Sequence, residues 1–251
     1  GILVRNNKVI SAGGKILYSR AGNPLELPNL KLYLSATRMV QQADESLVSS
    51  FIDFSGNSNH ATQGTSGNQP KFDLNQFGVN AGIKGDGVND SMYGSVNLFK
   101  NINQYTIQLL YKRTSLNIDL LLLVRTGGGS NRIFIRTTPS NIEFYTQQID
   151  GSTQLSILYP NTDLLPHLIQ YTLNPANNIV YFYLDGVLSG TLVVPAGYMN
   201  NSDHLPYELL AYAAGSSYSK NIINGLSVSH SYSDPATIQA QYRGYLQRGY
   251  L

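Results

Sequence analysis

The 251-residue chain contains no cysteine, which excludes a disulfide framework, a thiolate metal site and cysteine-based catalysis. Tryptophan is absent too, and charged residues are only 13 % of the chain, well below the usual quarter of a soluble protein. No apolar run approaches the ~18 residues of a membrane-crossing helix. The longest lies around Leu120 to Val124. The amino end has no basic stretch leading into a continuous apolar segment, so nothing there reads as a secretory signal. Glutamate is scarce: Glu26, Glu45, Glu143 and Glu208 are all there is, and no two fall on one expected strand. Retaining glycoside hydrolysis needs two carboxyl groups about 5–5.5 Å apart, so that chemistry is not expected. The four histidines, His60, His167, His204 and His230, are isolated, and no G-x-S-x-G elbow occurs to suggest a Ser-His-Asp arrangement. Gly127, Gly128 and Gly129 lack the following Lys-Ser/Thr of a phosphate-binding loop. Arg125, Arg132 and Arg136 around one hairpin read as a solvated face.

What the chain does have is tyrosine, 18 of them, together with 42 % hydrophobic residues, enough to bury the core of one all-β domain. Strand signals recur along it. Leu30, Leu32 and Leu34 alternate with polar neighbours, as do Tyr105, Ile107, Leu109 and Tyr111, then Ile133 and Ile135, then Ile142 and Phe144. Further strands are expected at 168–173, 179–184, 191–194, 207–212 and 226–232. Asp185-Gly186 between alternating segments is a hairpin turn. About a dozen short strands and almost no helix imply two packed antiparallel sheets of jelly-roll type, an all-β sandwich. The single expected helix follows Asp234, a good N-cap, with Pro235 at the first helical position and Ile238, Tyr242 and Tyr245 on one stripe. On the face shared by Leu226, Val228 and Tyr232, His230 reads as structural. Tyr93, Tyr145, Tyr159, Tyr198, Tyr212 and Tyr218, in or beside loops and strand ends, suit sugar stacking or protein interfaces.

Residues 1–28 stand apart. Arg5, Lys8, Lys15 and Arg20 against Glu26 give this arm a charge of +3 and leave the rest at −1. Short apolar triplets separated by Asn6-Asn7 and Gly13-Gly14 read as a small hairpin or extended arm that docks on its own sandwich or on another chain.

Four blocks in order carry a family resemblance: residues 53–60 (DFSGNSNH), 85–90 (GDGVND), 180–186 (VYFYLDG) and 224–245 (NGLSVSHSYSDPATIQAQYRGY). Over 29–250 the chain resembles the laminin-G-like group of the concanavalin A-like superfamily, of the kind found in bacteriophage virion proteins. That resemblance implies a jelly-roll sandwich over 29–251, preceded by a docking arm at 1–28 and closed by a short helix. Enzymes of that superfamily carry an E-x-D-x-(x)-E strand, which is missing here. The resemblance also implies Ca²⁺ at the sandwich rim, with Asp53, Asn59 and Asp90 as candidate ligands, for an ion that takes six to eight oxygens. The competing reading is that these residues stabilise turns. No other cofactor is expected. A virion structural or attachment role is implied, with other virion proteins met through the arm, a host-surface glycan as a further partner, self-association, and no nucleic acid. The alternative is a cellular or secreted lectin-like module.

Overall fold

The computed structural model describes residues 3–5, 8–10, 16–19, 23–39, 41–125, 132–147, 154–196, 205–212 and 217–251. Two eight-stranded antiparallel sheets face one another. Sheet I runs Val187–Val193, Ile179–Leu184, Pro166–Asn174, Tyr105–Lys112 and Ile222–Ser229. The last of these pairs on its far side with two strands placed end to end: Asn80–Lys84 at Ile222 and Ile223, and Leu30–Ser35 from Gly225 onward. Lys71–Phe77 lies beyond Asn80–Lys84. Sheet II runs Gln154–Pro160, Asn141–Gln147, Arg132–Thr137, Asp119–Arg125, Glu208–Leu209, Met92–Gly94, Ala61–Thr62 and Ser50–Phe51. Ala211–Tyr212 and Ser217–Tyr218 form a separate pair. The all-β jelly-roll sandwich read from the alternation is the observed architecture.

Alternating side chains meet between the sheets, as a pleated strand demands. With no tryptophan available, phenylalanine and tyrosine fill the middle. Phe144 of sheet II stacks on Tyr171 of sheet I at 4.3 Å, and Tyr171 on Phe182 at 4.8 Å. Leu32, Leu34, Ile107, Leu109, Ile133, Ile135, Ile169 and Val228 complete the core, all at most 1 % exposed.

The outer face of sheet I is covered by the helix Pro235–Gln247. Asp234 caps it through a bond from Thr237 N at 2.7 Å, and Pro235 occupies its first turn. Tyr245 packs with Phe77, Leu110, Leu168 and Ile222. Beneath the strand-to-helix connection a buried hydroxyl group, Thr106 Oγ1, bonds Ser231 O and Ser233 Oγ, fixing the angle of entry. The Asp185-Gly186 turn has positive φ at both residues, +50° and +74°, the backbone a tight hairpin of this twist requires.

Leu3–Arg5, Lys8–Ile10 and Ile16–Ser19 form a three-stranded antiparallel sheet of their own, while Asn6-Asn7 and Gly13-Gly14 lie outside the described residues. Residues 23–28 rest on the sandwich. Gln241 Nε2 donates to Asn23 O at 3.4 Å, Leu27 is 4 % exposed, and Ser229 Oγ donates to Pro28 O.

The arginines stay partly in solvent and also make contacts: Arg132 lies over Tyr145 at 5.4 Å, and Arg136, its side chain 36 % exposed, lies over Phe134 at 5.0 Å and bonds Glu143 at 2.5 Å. Phe134 and Tyr145, stacked at 4.4 Å, supply the rings. The side chain of Arg125 lies outside the described residues.

Candidate functional site

At one side of the sandwich, segment 45–54 crosses from one sheet to the other. Val48 N bonds Pro70 O and Phe72 N bonds Ser46 O on the sheet I side, and Phe54 N bonds Tyr33 O after Ser50–Phe51 has joined sheet II. Along this crossing Phe51 and Asp53 turn inward, both buried, so Ile52 and Phe54 turn outward and stay half-buried. They floor a cleft of about 400 Å³ whose walls are Arg38, Met39, Gln41, Gln42, Ser49 and Ser50.

Arg38 ends a single 3-10 turn, Ala36–Arg38, that continues the strand Leu30–Ser35. The turn aims its guanidinium at the aromatic floor, 4.9 Å from the Phe54 ring centre and 5.9 Å from that of Tyr33. Its charge makes no ion pair among the described residues. The cleft thus presents a planar cation, an aromatic face, the Gln41 and Gln42 amides and two serine hydroxyl groups. That set suits a sugar: carbon–hydrogen faces pack on rings, hydroxyls pair with amides, and a guanidinium binds a carboxylate through two parallel bonds.

The residues singled out from the sequence are placed otherwise. The Asp53 carboxylate is 6 % exposed and fully committed. Its Oδ1 accepts from Tyr33 N at 2.8 Å and Ser55 N at 2.9 Å, its Oδ2 from Ser55 Oγ at 2.8 Å and Asn59 N at 2.9 Å. Asn59 Nδ2 donates to Lys31 O at 2.8 Å, and His60 Nδ1 accepts from Asp53 N at 2.9 Å. Two donors on each oxygen occupy the lone pairs of the Asp53 carboxylate, which leaves none directed at a cation. Asp53, Asn59 and His60 build the turn that holds Phe54 in place.

Asp90 lines a second hollow of about 440 Å³ with Glu45, Gln69, Lys71, Lys84 and Asp86. Burial, and then the charge of Asp86, push its carboxyl up to about 6, against the Asp86 N–H it accepts at 2.9 Å and the charge of Lys71. Asp86 Oδ1 is spent on its own turn, accepting from Val88 N and Asn89 N at 2.7 and 3.1 Å. Nearby, Asp44, Glu45 and Asp73 bring carboxylate oxygens within 4.8 Å. Each already has a partner: Leu74 N, Lys71 and Gln76 respectively.

His167 is clamped at a third hollow, with Nδ1 2.7 Å from Asp185 Oδ2 and Nε2 2.8 Å from Asp163 Oδ1. Burial opposes charge on the ring, but bonds to Asp185 and Asp163 and their charges outweigh it and raise its pKa above the ordinary value. The His230 side chain bonds Leu98 O at 2.7 Å, a structural contact as its pattern indicated. Of the tyrosines noted, Tyr145 is stacked and buried, Tyr159 packs edge-on to Phe182, and Tyr198 lies outside the described residues.

No protein-family model matches the chain, and no curated protein matches it in sequence. In structure it is similar to the binding domain of Paraclostridial Mosquitocidal Protein 1, with TM-score 0.63 and 13 % identity over 89 % of this chain and 53 % of that one. It is similar to the botulinum neurotoxin type G receptor binding domain, with TM-score 0.62 and 13 % identity over 86 % and 51 %. It is also similar to the Ruminococcus gnavus IT-sialidase CBM40 bound to alpha2,3 sialyllactose, with TM-score 0.53 and 17 % identity over 63 % and 95 %. The chain spans about half the length of the two toxin domains. The likeness is one of fold: a jelly-roll β-sandwich.

Proposed function

We propose that the chain is a non-enzymatic glycan-binding attachment module whose Arg38–Phe54 cleft takes a sugar that carries a carboxylate. The observation that carries this reading is Arg38, a guanidinium held over an aromatic floor with no ion-pair partner among the described residues. Sialyllactose, the ligand of the structurally similar CBM40, is a sugar of that chemistry. The two glutamates of sheet II are not placed as a hydrolytic pair. Glu208 and the strand that bears Glu143 are separated by Asp119–Arg125 and Arg132–Thr137. Three inter-strand spacings put these side chains at least about 14 Å apart, well beyond the ~5–9.5 Å of glycosidase carboxyl pairs.

The carrier we propose is a virus particle, with the basic arm on other virion proteins and the sandwich outward. The laminin-G-like motifs and the low-charge, cysteine-free composition support it. Detection of the chain in purified particles checks that part.

Calorimetric titration with sialyllactose and with lactose tests the binding. The acidic trisaccharide should bind and the neutral disaccharide should give no heat. Arg38→Ala should weaken binding about 10- to 150-fold, from the ~1.5–3 kcal/mol of a charged hydrogen-bonded contact. Equal binding of lactose, or an Arg38→Ala variant that binds as before, overturns the reading.

A further inference from the structure

The connection from Gln154–Pro160 of sheet II to Pro166–Asn174 of sheet I passes a hollow of about 400 Å³ whose walls include Tyr159, Asn161, Asp163, His167 and Leu184. His167 meets a different carboxylate at each ring nitrogen. On one side, Nδ1 lies 2.7 Å from Asp185 Oδ2. Asp185 is itself fixed, because it sits in the tight Asp185-Gly186 turn and its Oδ1 accepts from Leu168 N at 2.9 Å. With the Nδ1 hydrogen given to Asp185, Nε2 is the nitrogen left to bind something else. Metal-binding histidines are held in this way, by a carboxylate on the far nitrogen that sets the tautomer and the ring orientation.

The groups in front of Nε2 do not satisfy one another. Asp163 Oδ1 lies 2.8 Å away, and Asn161 Nδ2 is 3.2 Å from both Nε2 and Asp163 Oδ2. A hydrogen on Nε2 serves Asp163 but meets the amide hydrogens of Asn161, whereas a bare Nε2 serves Asn161 and sets its lone pair against the carboxylate. An independent sign comes from the other end of the amide. Asn161 is only 6 % exposed, and its Oδ1 has no hydrogen-bond partner among the described residues. A buried acceptor left bare calls for a reason. The Asn161 backbone is pinned beside the imidazole by other groups, since its O accepts from Arg113 at 2.7 Å and its N donates to Ser140 O at 2.9 Å. Asp163, unlike Asp53, has room to turn: its side chain is 46 % exposed, and besides His167 its Oδ1 accepts only from Leu165 N.

We propose that His167 Nε2, Asp163 Oδ1 and Asn161 Oδ1 bind a zinc ion in this hollow, with Asp185 orienting the imidazole and a water in the fourth position. The ion takes the place of the Nε2 proton and gives the Asn161 oxygen its partner. One imidazole nitrogen with a carboxylate and an amide oxygen suits zinc, whereas calcium takes six to eight oxygens. Zinc bonds of about 2.0–2.2 Å put neighbouring ligand atoms of a tetrahedron roughly 3.3–3.5 Å apart. Opening the 2.8 Å gap between Nε2 and Asp163 by about half an ångström meets that, within reach of a rotation of the exposed Asp163 side chain. The bound ion would tie the connection 161–165 between the two sheets to the hairpin turn at Asp185.

Calorimetric titration of the full chain, stripped of metal beforehand, with zinc chloride tests the site. One zinc should bind per chain, and at about 100 times Kd it should raise Tm by roughly 5–10 °C. Asp185→Asn turns an N–H toward Nδ1 and so imposes the other tautomer; it should weaken zinc binding about 10- to 100-fold. His167→Gln and Asp163→Asn, each of which removes a ligand, should weaken it further, and Asp163→Asn on its exposed connection should keep the native circular dichroism. Cobalt in place of zinc should give the strong visible absorption of a four-coordinate ion in the native chain and lose it in Asp163→Asn. No heat from zinc at about 1 mM, zinc binding unchanged in both ligand variants, or calcium chloride bound here in preference to zinc would overturn the proposal.

Discussion

Replacing Asp53 by alanine removes the acceptor of four hydrogen bonds at once. Tyr33 N–H is buried and left without a partner, at a cost of about 1–3 kcal/mol. Ser55 N, Ser55 Oγ and Asn59 N are only partly buried. Water can replace the carboxylate there, so each contributes about 0.5–1.5 kcal/mol. The loss comes to about 5 kcal/mol, a large share of the ~5–15 kcal/mol that holds a domain together. At about 2–4 °C per kcal/mol for a chain of this size, Tm should fall by roughly 10–20 °C. Asp53→Asn keeps the Oδ1 acceptor but turns an N–H toward Asn59 N, so it should lose about half as much. Urea unfolding followed by far-UV circular dichroism measures both variants, and a chelator is added to the native chain in parallel. A loss below about 1 kcal/mol for Asp53→Ala refutes the hydrogen-bond account. So does a native chain destabilised by chelator as much as by the mutation, because Asp53 would then be holding a metal.

Three further outcomes follow from the structure. His167 has a raised folded pKa, so its stabilising contribution is whole below the unfolded value near 6.5 and is lost as pH rises through the folded value. Tm measured from pH 6 to 9 should decline in the native chain and flatten in His167→Gln; parallel curves would count against the Asp163–His167–Asp185 clamp. Asp90 titrates near 6 in the fold, so the native chain loses stability as pH climbs from about 4 to 6. Asp90→Asn, which still accepts from Asp86 N, should be about 1–2 kcal/mol more stable than native at pH 7 after solvent screening and no different at pH 3.5. An unchanged midpoint at pH 7 would contradict this. A chain starting at Asn23 should keep its Tm, whereas one starting at Asn29 loses the buried Leu27 side chain, about 1.5–3 kcal/mol of burial; equal Tm values would show that 23–28 does not support the sandwich.

The regular strands were legible because a half-buried sheet imposes a period of two on its residues. Tyr105–Lys112, Ile179–Leu184 and Arg132–Thr137 lie where alternation put them. Asp234 and Pro235 likewise marked the helix. Irregular ladders were hidden. Lys71–Phe77 escapes the pattern because its pairing breaks between Asp73 and Phe77, and Asn80–Lys84 because Asn80, Ala81 and Gly82 lack the bulk of strand residues. The last strand of sheet I was expected at 226–232 but spans Ile222–Ser229. Beyond Ser229 the chain turns toward Ser231 and Ser233, which bond Thr106. The turn chemistry of Asp53 and Asn59 was readable as a local motif. The cleft was not. Phe54 was in view inside DFSG, yet Arg38 carries no local signal, and only the long-range bridge between Leu34 and Asp53 brings the two together.

The most direct test of the account is a crystal structure of the chain soaked with sialyllactose. The account predicts the sugar carboxylate on the Arg38 guanidinium and a ring face against Phe54 and Ile52, with Gln41 or Gln42 on its hydroxyls. A sugar bound elsewhere on the sandwich, or an Arg38–Phe54 cleft free of it at saturating concentration, would contradict it.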